Sequence, residues 1–138
     1  MKNFTEFHDG LFEGLIITDA TVCLFFATDE RARYAAVASG VVALTAGGFK
    51  AGNIIFEVLL KDHSEITLQD ISELYELEEG SPGGAYSESL LRESTEKSLT
   101  MLEVNPSYGA SSRVLAHSIA FCTMEEWKDQ FMVTQSGR

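Results

Sequence analysis

The stretch from Gly52 to Leu77 constrains the fold most, because its hydrophobic period changes from two to that of a helix within one short turn. Ile54, Phe56, Val58 and Leu60 alternate as an apolar face, opposite the mixed face of Ile55, Glu57, Leu59 and Lys61, which predicts a strand. After Asp62-His63-Ser64-Glu65, the side chains of Leu68, Ile71, Leu74 and Tyr75 fall on one helical stripe, predicting a helix over 68–77. Thr67 fits its N-cap, Asp70 lies near the exposed first amides, and Ile66 and Ile71 occupy the positions of a hydrophobic staple. The outward helix face is then Gln69, Asp70, Glu73 and Glu76. The stretch therefore reads as a strand feeding a surface helix with an acidic back.

The remainder reads mostly as strands. Leu11–Thr18 and Thr21–Thr28 flank the two-residue gap Asp19-Ala20, a spacing that suits a hairpin. Arg33–Ser39 reads as a third strand, Gly40 as a break, and Val41–Thr45 as a fourth. Ala46–Gly52 is a glycine-rich connection. It precedes a strand and its Lys50 is followed by Ala51, so backbone geometry explains it better than a phosphate cradle. Glu79–Gly84 is a plain loop, and Tyr86–Lys97 fits either a short exposed helix or a mobile loop. Leu99–Val104 and Ala110–Phe121 return to strand character around the turn Asn105-Pro106-Ser107-Tyr108-Gly109. Thr123-Met124-Glu125-Glu126 matches a capping box and predicts a short C-terminal helix docked by Met124, Trp127 and Phe131, with Cys122 and Trp127 as its staple. About seven short strands and one well-specified helix indicate a β-rich α+β fold, an antiparallel sheet or a two-sheet sandwich. A chain of 138 residues suits a single domain spanning 1–138.

Charge narrows the function classes. Twenty-one acids against ten lysines and arginines give a net charge of −11, which disfavours nucleic acid and anionic membranes as partners. Eight of the acids lie between Glu57 and Glu79, where Lys61 is the one base. No apolar run approaches the roughly 18 residues of a membrane helix and no secretory signal is visible, so a cytoplasmic location is expected. The two cysteines, Cys23 and Cys122, read as small buried hydrophobes.

Two sets of residues are candidates for a site. The acidic helix face, Asp70, Glu73 and Glu76, could steer a basic protein partner, or simply be a solvated surface. His8, Asp9, Asn105 and Tyr108 could instead form a sheet-mouth pocket for a small ligand or an enzymatic reaction. Turn chemistry alone also explains each of the four. His8, His63 and His117 have no metal-ligand spacing, His63 reading as a turn residue and His117 as a core or rim residue. Ser94-Thr95-Glu96-Lys97 matches the Ser-x-x-Lys of acyl-enzymes but lacks the companion motifs. No cofactor or metal is expected and no residue is assigned a catalytic role. Apolar strands also leave room for an oligomeric structural protein, with a second copy covering an edge or face.

Phe7-His8-Asp9-Gly10, Gly52-Asn53-Ile54-Ile55 and Asn105-Pro106-Ser107-Tyr108-Gly109 resemble segments of small β-rich bacterial proteins, some of them similar to immunity proteins of bacterial toxin systems. That resemblance implies a non-enzymatic binding role and carries over no catalytic residue.

Overall fold

The computed structural model describes residues 1–74 and 83–132. The chain forms β1 (Lys2–Asn3), a 3-10 turn (Thr5–Phe7), β2 (Leu11–Thr18), β3 (Thr21–Ala27), β4 (Arg33–Gly47) and β5 (Ile54–Lys61). These are followed by α1 (Leu68–Leu74), α2 (Gly83–Glu96), β6 (Thr100–Tyr108), β7 (Ser111–Thr123) and α3 (Met124–Phe131). The fold is β-rich α+β, with one antiparallel sheet of seven strands in the order β1-β5-β2-β3-β4-β7-β6. Because β5 also pairs with β6, the sheet curls over until it meets itself. Of the two architectures the sequence allows, it is the single sheet that forms.

The closing seam is narrow. Along β2 only Leu11 is in register with β5, at Ile54, supported by bonds from Ile55 N to Gly10 O (2.9 Å) and from Phe12 N to Asn53 O (2.9 Å). The enclosed core contains Phe12, Leu24, Phe26, Ile55, Val58, Leu102 and Val114. Phe4 and Phe7, carried on the 3-10 turn, cover it by stacking on Phe121 at 4.1 Å and 5.9 Å between ring centres. A second core lies outside the curled sheet, where Ile66, Ile71, Leu74 and Leu90 of the helical layer pack on Met101 and Leu115.

Several local features depart from the sequence expectation. Arg33–Gly47 is one long strand, and Gly40 bends it without ending it, at φ 63°. A Cβ built at Gly40 would stand 2.8 Å from the His117 ring, and His117 itself is exposed rather than in the core. Gly40→Ala is therefore expected to cost about 1–2 kcal/mol, from left-handed strain plus displacement of the imidazole. Urea denaturation in parallel with the His117→Ala background checks this, since the clash with the ring is removed there while the left-handed strain and the 3.1 Å approach to the Cβ of residue 117 remain.

Asn105–Tyr108 continues β6 instead of turning, pairing with a β5 ladder that shifts register between Ile54 and Ile55 and between Ile55 and Glu57. Pro106 has no amide to donate, and its pairing with β7 has already ended at Val104. The same shifts overturn the simple alternation of β5. Ile55, Val58 and Leu60 face the enclosed core, while Ile54 and Phe56 are exposed.

Residues 86–96 belong to a true helix, α2, which also takes in Gly83 and Gly84 of the expected loop. Its buried stripe includes Ser87 and Ser94, so a packed face reads as polar in sequence. Ser94 Oγ donates to Leu90 O at 2.9 Å, which accounts for the serine of the Ser-x-x-Lys match structurally.

Candidate functional site

The helix start at Thr67 is capped as its residues require. Asp70 N donates to Thr67 Oγ1 at 3.1 Å, and Thr67 N donates to Asp70 Oδ2 at 2.9 Å. That reciprocal pair turns Asp70 inward. It is only 7% exposed, so it does not lie on the outward helix face to which its spacing assigned it.

Lys61 explains the inversion. From the end of β5 its Nζ donates to both oxygens of Asp70 at 3.0 Å and to Glu103 Oε1 at 2.8 Å, and Glu103 is 4% exposed. The one base in the acidic segment is thus enclosed by two of the protein's carboxylates. Burial by itself raises the Asp70 pKa, but the Thr67 amide and the Lys61 ammonium outweigh it and hold the carboxyl below its ordinary 3.8. Burial lowers Lys61, yet its bonds to Glu103 and Asp70 prevail and raise it above 10.5.

The network extends along the outer wall. Arg113 of β7 pairs with Glu73 of α1 at 2.7 Å, and its Nε lies 3.8 Å from Glu103 Oε1. Asn105 donates to Glu57 Oε2 at 2.9 Å and to Glu103 Oε2 at 3.4 Å. Asp70 and Glu73 therefore pin α1 to the sheet; Glu76 lies outside the described residues. Of the expected acidic face, Asp70 is turned inward, whereas Glu73 stays exposed and reaches Arg113 from the surface.

The second residue set is split by β5. His8 and Asp9 precede β2 on one side of β5, where His8 Nδ1 lies 2.8 Å from Phe56 O and Asp9 N donates to Ile55 O at 3.0 Å. Asn105 and Tyr108 sit in β6 on the other side, in register with Glu57 and Ile54. His8 Nε2 is 3.6 Å from Asp9 Oδ2, with both side chains more than half exposed. That is a solvated surface contact, not an enclosed acid–base dyad.

Between the two halves lies a feature that alternation in the sequence concealed. Ile54, Phe56 and Tyr108 are 38%, 52% and 53% exposed along one short length of the β5–β6 ladder. Tyr108 is directly opposite Ile54, and the His8 ring meets Phe56 edge-on at 5.8 Å. Strict alternation puts Phe56 on one face with Val58 and Leu60, but the register shifts on either side of Ile55 break that alternation and leave Phe56 exposed. Ile54, Phe56 and Tyr108 thus form a set of large apolar side chains exposed along the same ladder.

A second concavity lies beneath α3, whose N-cap Thr123 forms the expected capping box with Glu126. Trp127 donates from Nε1 to Cys23 Sγ at 3.3 Å and packs edge-on against Phe25 at 4.9 Å. A groove of about 450 Å³ remains beside it, lined by Ile16, Thr18, Cys23, Phe131 and Met132. Both cysteines are free, and burial, the Glu126 carboxylate and Cys23 together push the Cys122 thiol up, which keeps it protonated and poorly nucleophilic. No helix among the described residues is long and apolar enough to cross a membrane. No protein-family model matches the chain, and no curated protein or solved structure matches it either.

Proposed function

We propose that this chain is a non-enzymatic protein-binding domain that offers an acidic surface with an aromatic centre to a basic partner. The observation carrying this reading is the exposed group Ile54, Phe56 and Tyr108 on a chain of net charge −11. Apolar and aromatic anchors supply binding energy when a partner desolvates them, whereas surrounding acids raise the encounter rate with a cationic protein. The resemblance to immunity proteins gives the reading a specific form, neutralisation of a basic toxin. Asp70 and Glu73 contribute to it indirectly, by holding α1 in place through Lys61 and Arg113.

The test is affinity capture from the native host with the Phe56→Ala/Tyr108→Ala double variant beside the wild type. A basic protein should be retained at low salt, released at high salt, and held at least about tenfold more weakly by the double variant. Equal retention by both proteins would remove the β5–β6 patch from the interface.

A further inference from the structure

We propose that a cleft at the Phe7 end of the curled sheet binds a small free quaternary ammonium compound without an acid group, held by aromatic rings and two carboxylates. The cleft, of about 180 Å³, lies between the 3-10 turn and the junction of β7 with α3. Phe4 and Phe7 form its inner wall and are 7% and 2% exposed. Phe4 has Phe121 stacked at 4.1 Å on one face, and Lys2 Nζ stands 4.6 Å over the ring, so neither face is open. The lining rings that remain half-buried are Tyr34 and Phe121. Tyr34 reaches this end of the sheet because β4 pairs it with Thr123, where β7 gives way to α3.

The charge of the lining selects a cation. Glu6 and Glu126 line the cleft and are exposed, and neither enters an ion pair among the described residues. The capping box fixes Glu126, whose Oε1 accepts from Thr123 N at 2.9 Å, and bonds with Thr123 hold its carboxyl below the ordinary 4.5. No lysine or arginine lines the cleft, and Cys122 on its wall stays protonated, so nothing there cancels the two charges. The rings select which cation. Aromatic side chains attract a cation that has shed its water, and N-methyl groups bury apolar area that an unsubstituted ammonium lacks. An unsubstituted ammonium also needs acceptors for all its N–H donors, which ring walls do not supply. Two carboxylates repel an acid carried on the same ligand. So small a volume takes a trimethylammonium group with a short arm, which describes choline and excludes glycine betaine.

The probe is choline, titrated at low salt into the full chain by NMR, beside glycine betaine and an uncharged isostere in which tert-butyl replaces trimethylammonium. Choline should bind saturably, shift the Phe121, Cys122 and Thr123 amides, and bind at least about tenfold more tightly than either control. Glu6→Gln/Glu126→Gln preserves the capping box, in which glutamine also serves, and should weaken choline at least about tenfold without changing the isostere. Tyr34→Phe should keep the affinity, and Tyr34→Leu should lower it at least about fivefold. Should Tyr34→Leu unfold, the double glutamine variant decides alone. Equal binding of choline and the isostere, an unchanged affinity in the glutamine variant, or equal competition by ammonium ion overturns the proposal. So does a trimethyl-lysine peptide that binds at least about tenfold more tightly than choline, since the headgroup would then belong to a protein. Phe56 and Tyr108 are untouched throughout, so failure here leaves the proposed β5–β6 contact standing.

Discussion

Lys61→Met is expected to lower the unfolding free energy by about 3–5 kcal/mol, the largest effect of any single substitution in the outer wall. The side chains of Lys61, Asp70 and Glu103 are only 15%, 9% and 5% exposed, so removal of the ammonium leaves buried Asp70 without its cation and Glu103 with the more distant Arg113 at 3.8 Å. Urea titration should show a lower midpoint with an unchanged slope. Adding Asp70→Asn and Glu103→Gln to Lys61→Met should recover most of the loss, because the penalty belongs to unpaired charge and not to missing contact area. A loss below about 1 kcal/mol would class the cluster with ordinary surface ion pairs.

The same cluster sets a pH signature. Asp70 titrates below 3.8 when folded, so its stabilisation is present above the ordinary aspartate range and disappears as pH falls through the lower folded value. Lys61 titrates above 10.5, so its contribution is complete below that value and disappears as pH rises through the higher folded one. In Lys61→Met, Asp70 loses its cation, and the difference between variant and wild type should narrow on acidification below about pH 4. A constant difference across that range would mean that Lys61 stabilises by packing alone.

Asn53→Leu is expected to cost about 2–4 kcal/mol. Asn53 is 7% exposed, and its amide group joins three separate segments. Its Oδ1 accepts from Lys50 N at 2.7 Å and Ala110 N at 3.1 Å, and its Nδ2 donates to Phe12 O at 3.3 Å. Leucine fills similar volume but leaves those backbone groups without their partner, so the cost reports hydrogen bonding and not a cavity. The site is also sterically closed, for a Cβ at Gly109 would stand 2.4 Å from Asn53 Oδ1. Thermal unfolding measures the loss, and faster exchange of the Ala110 amide locates it. An unchanged Ala110 exchange rate would show that this turn is held by other bonds.

Local pattern carried much of the fold into view. Leu11–Thr18 and Ile54–Lys61 occupy the expected spans because runs of apolar residues there end at turn-forming groups. Thr67 and Thr123 cap helices because their hydroxyls and the acids three residues later satisfy adjacent backbone amides. α2 was less legible because its buried stripe uses Ser87 and Ser94, small enough to let another element approach but polar to any hydropathy reading. Pro106, a turn residue by propensity, was absorbed into β6 because its missing amide falls where β5 shifts register.

The candidate site was legible only in its inventory. Tyr108 and His8 were singled out, but the exposure of Ile54 and Phe56 depends on bulges fixed by pairing with β6, which lies more than forty residues later in the chain. Asp70 shows the same division most clearly. The Gly52–Leu77 stretch by itself determined a strand, a cap, a helix and an excess of negative charge, all consequences of contacts within a few residues. Only the tertiary structure decided which charges face water. Whether a carboxylate is buried depends on the counterion brought against it, and Lys61 meets Glu103 and Asp70 only after β5 has paired with β6 and α1 has docked on the sheet.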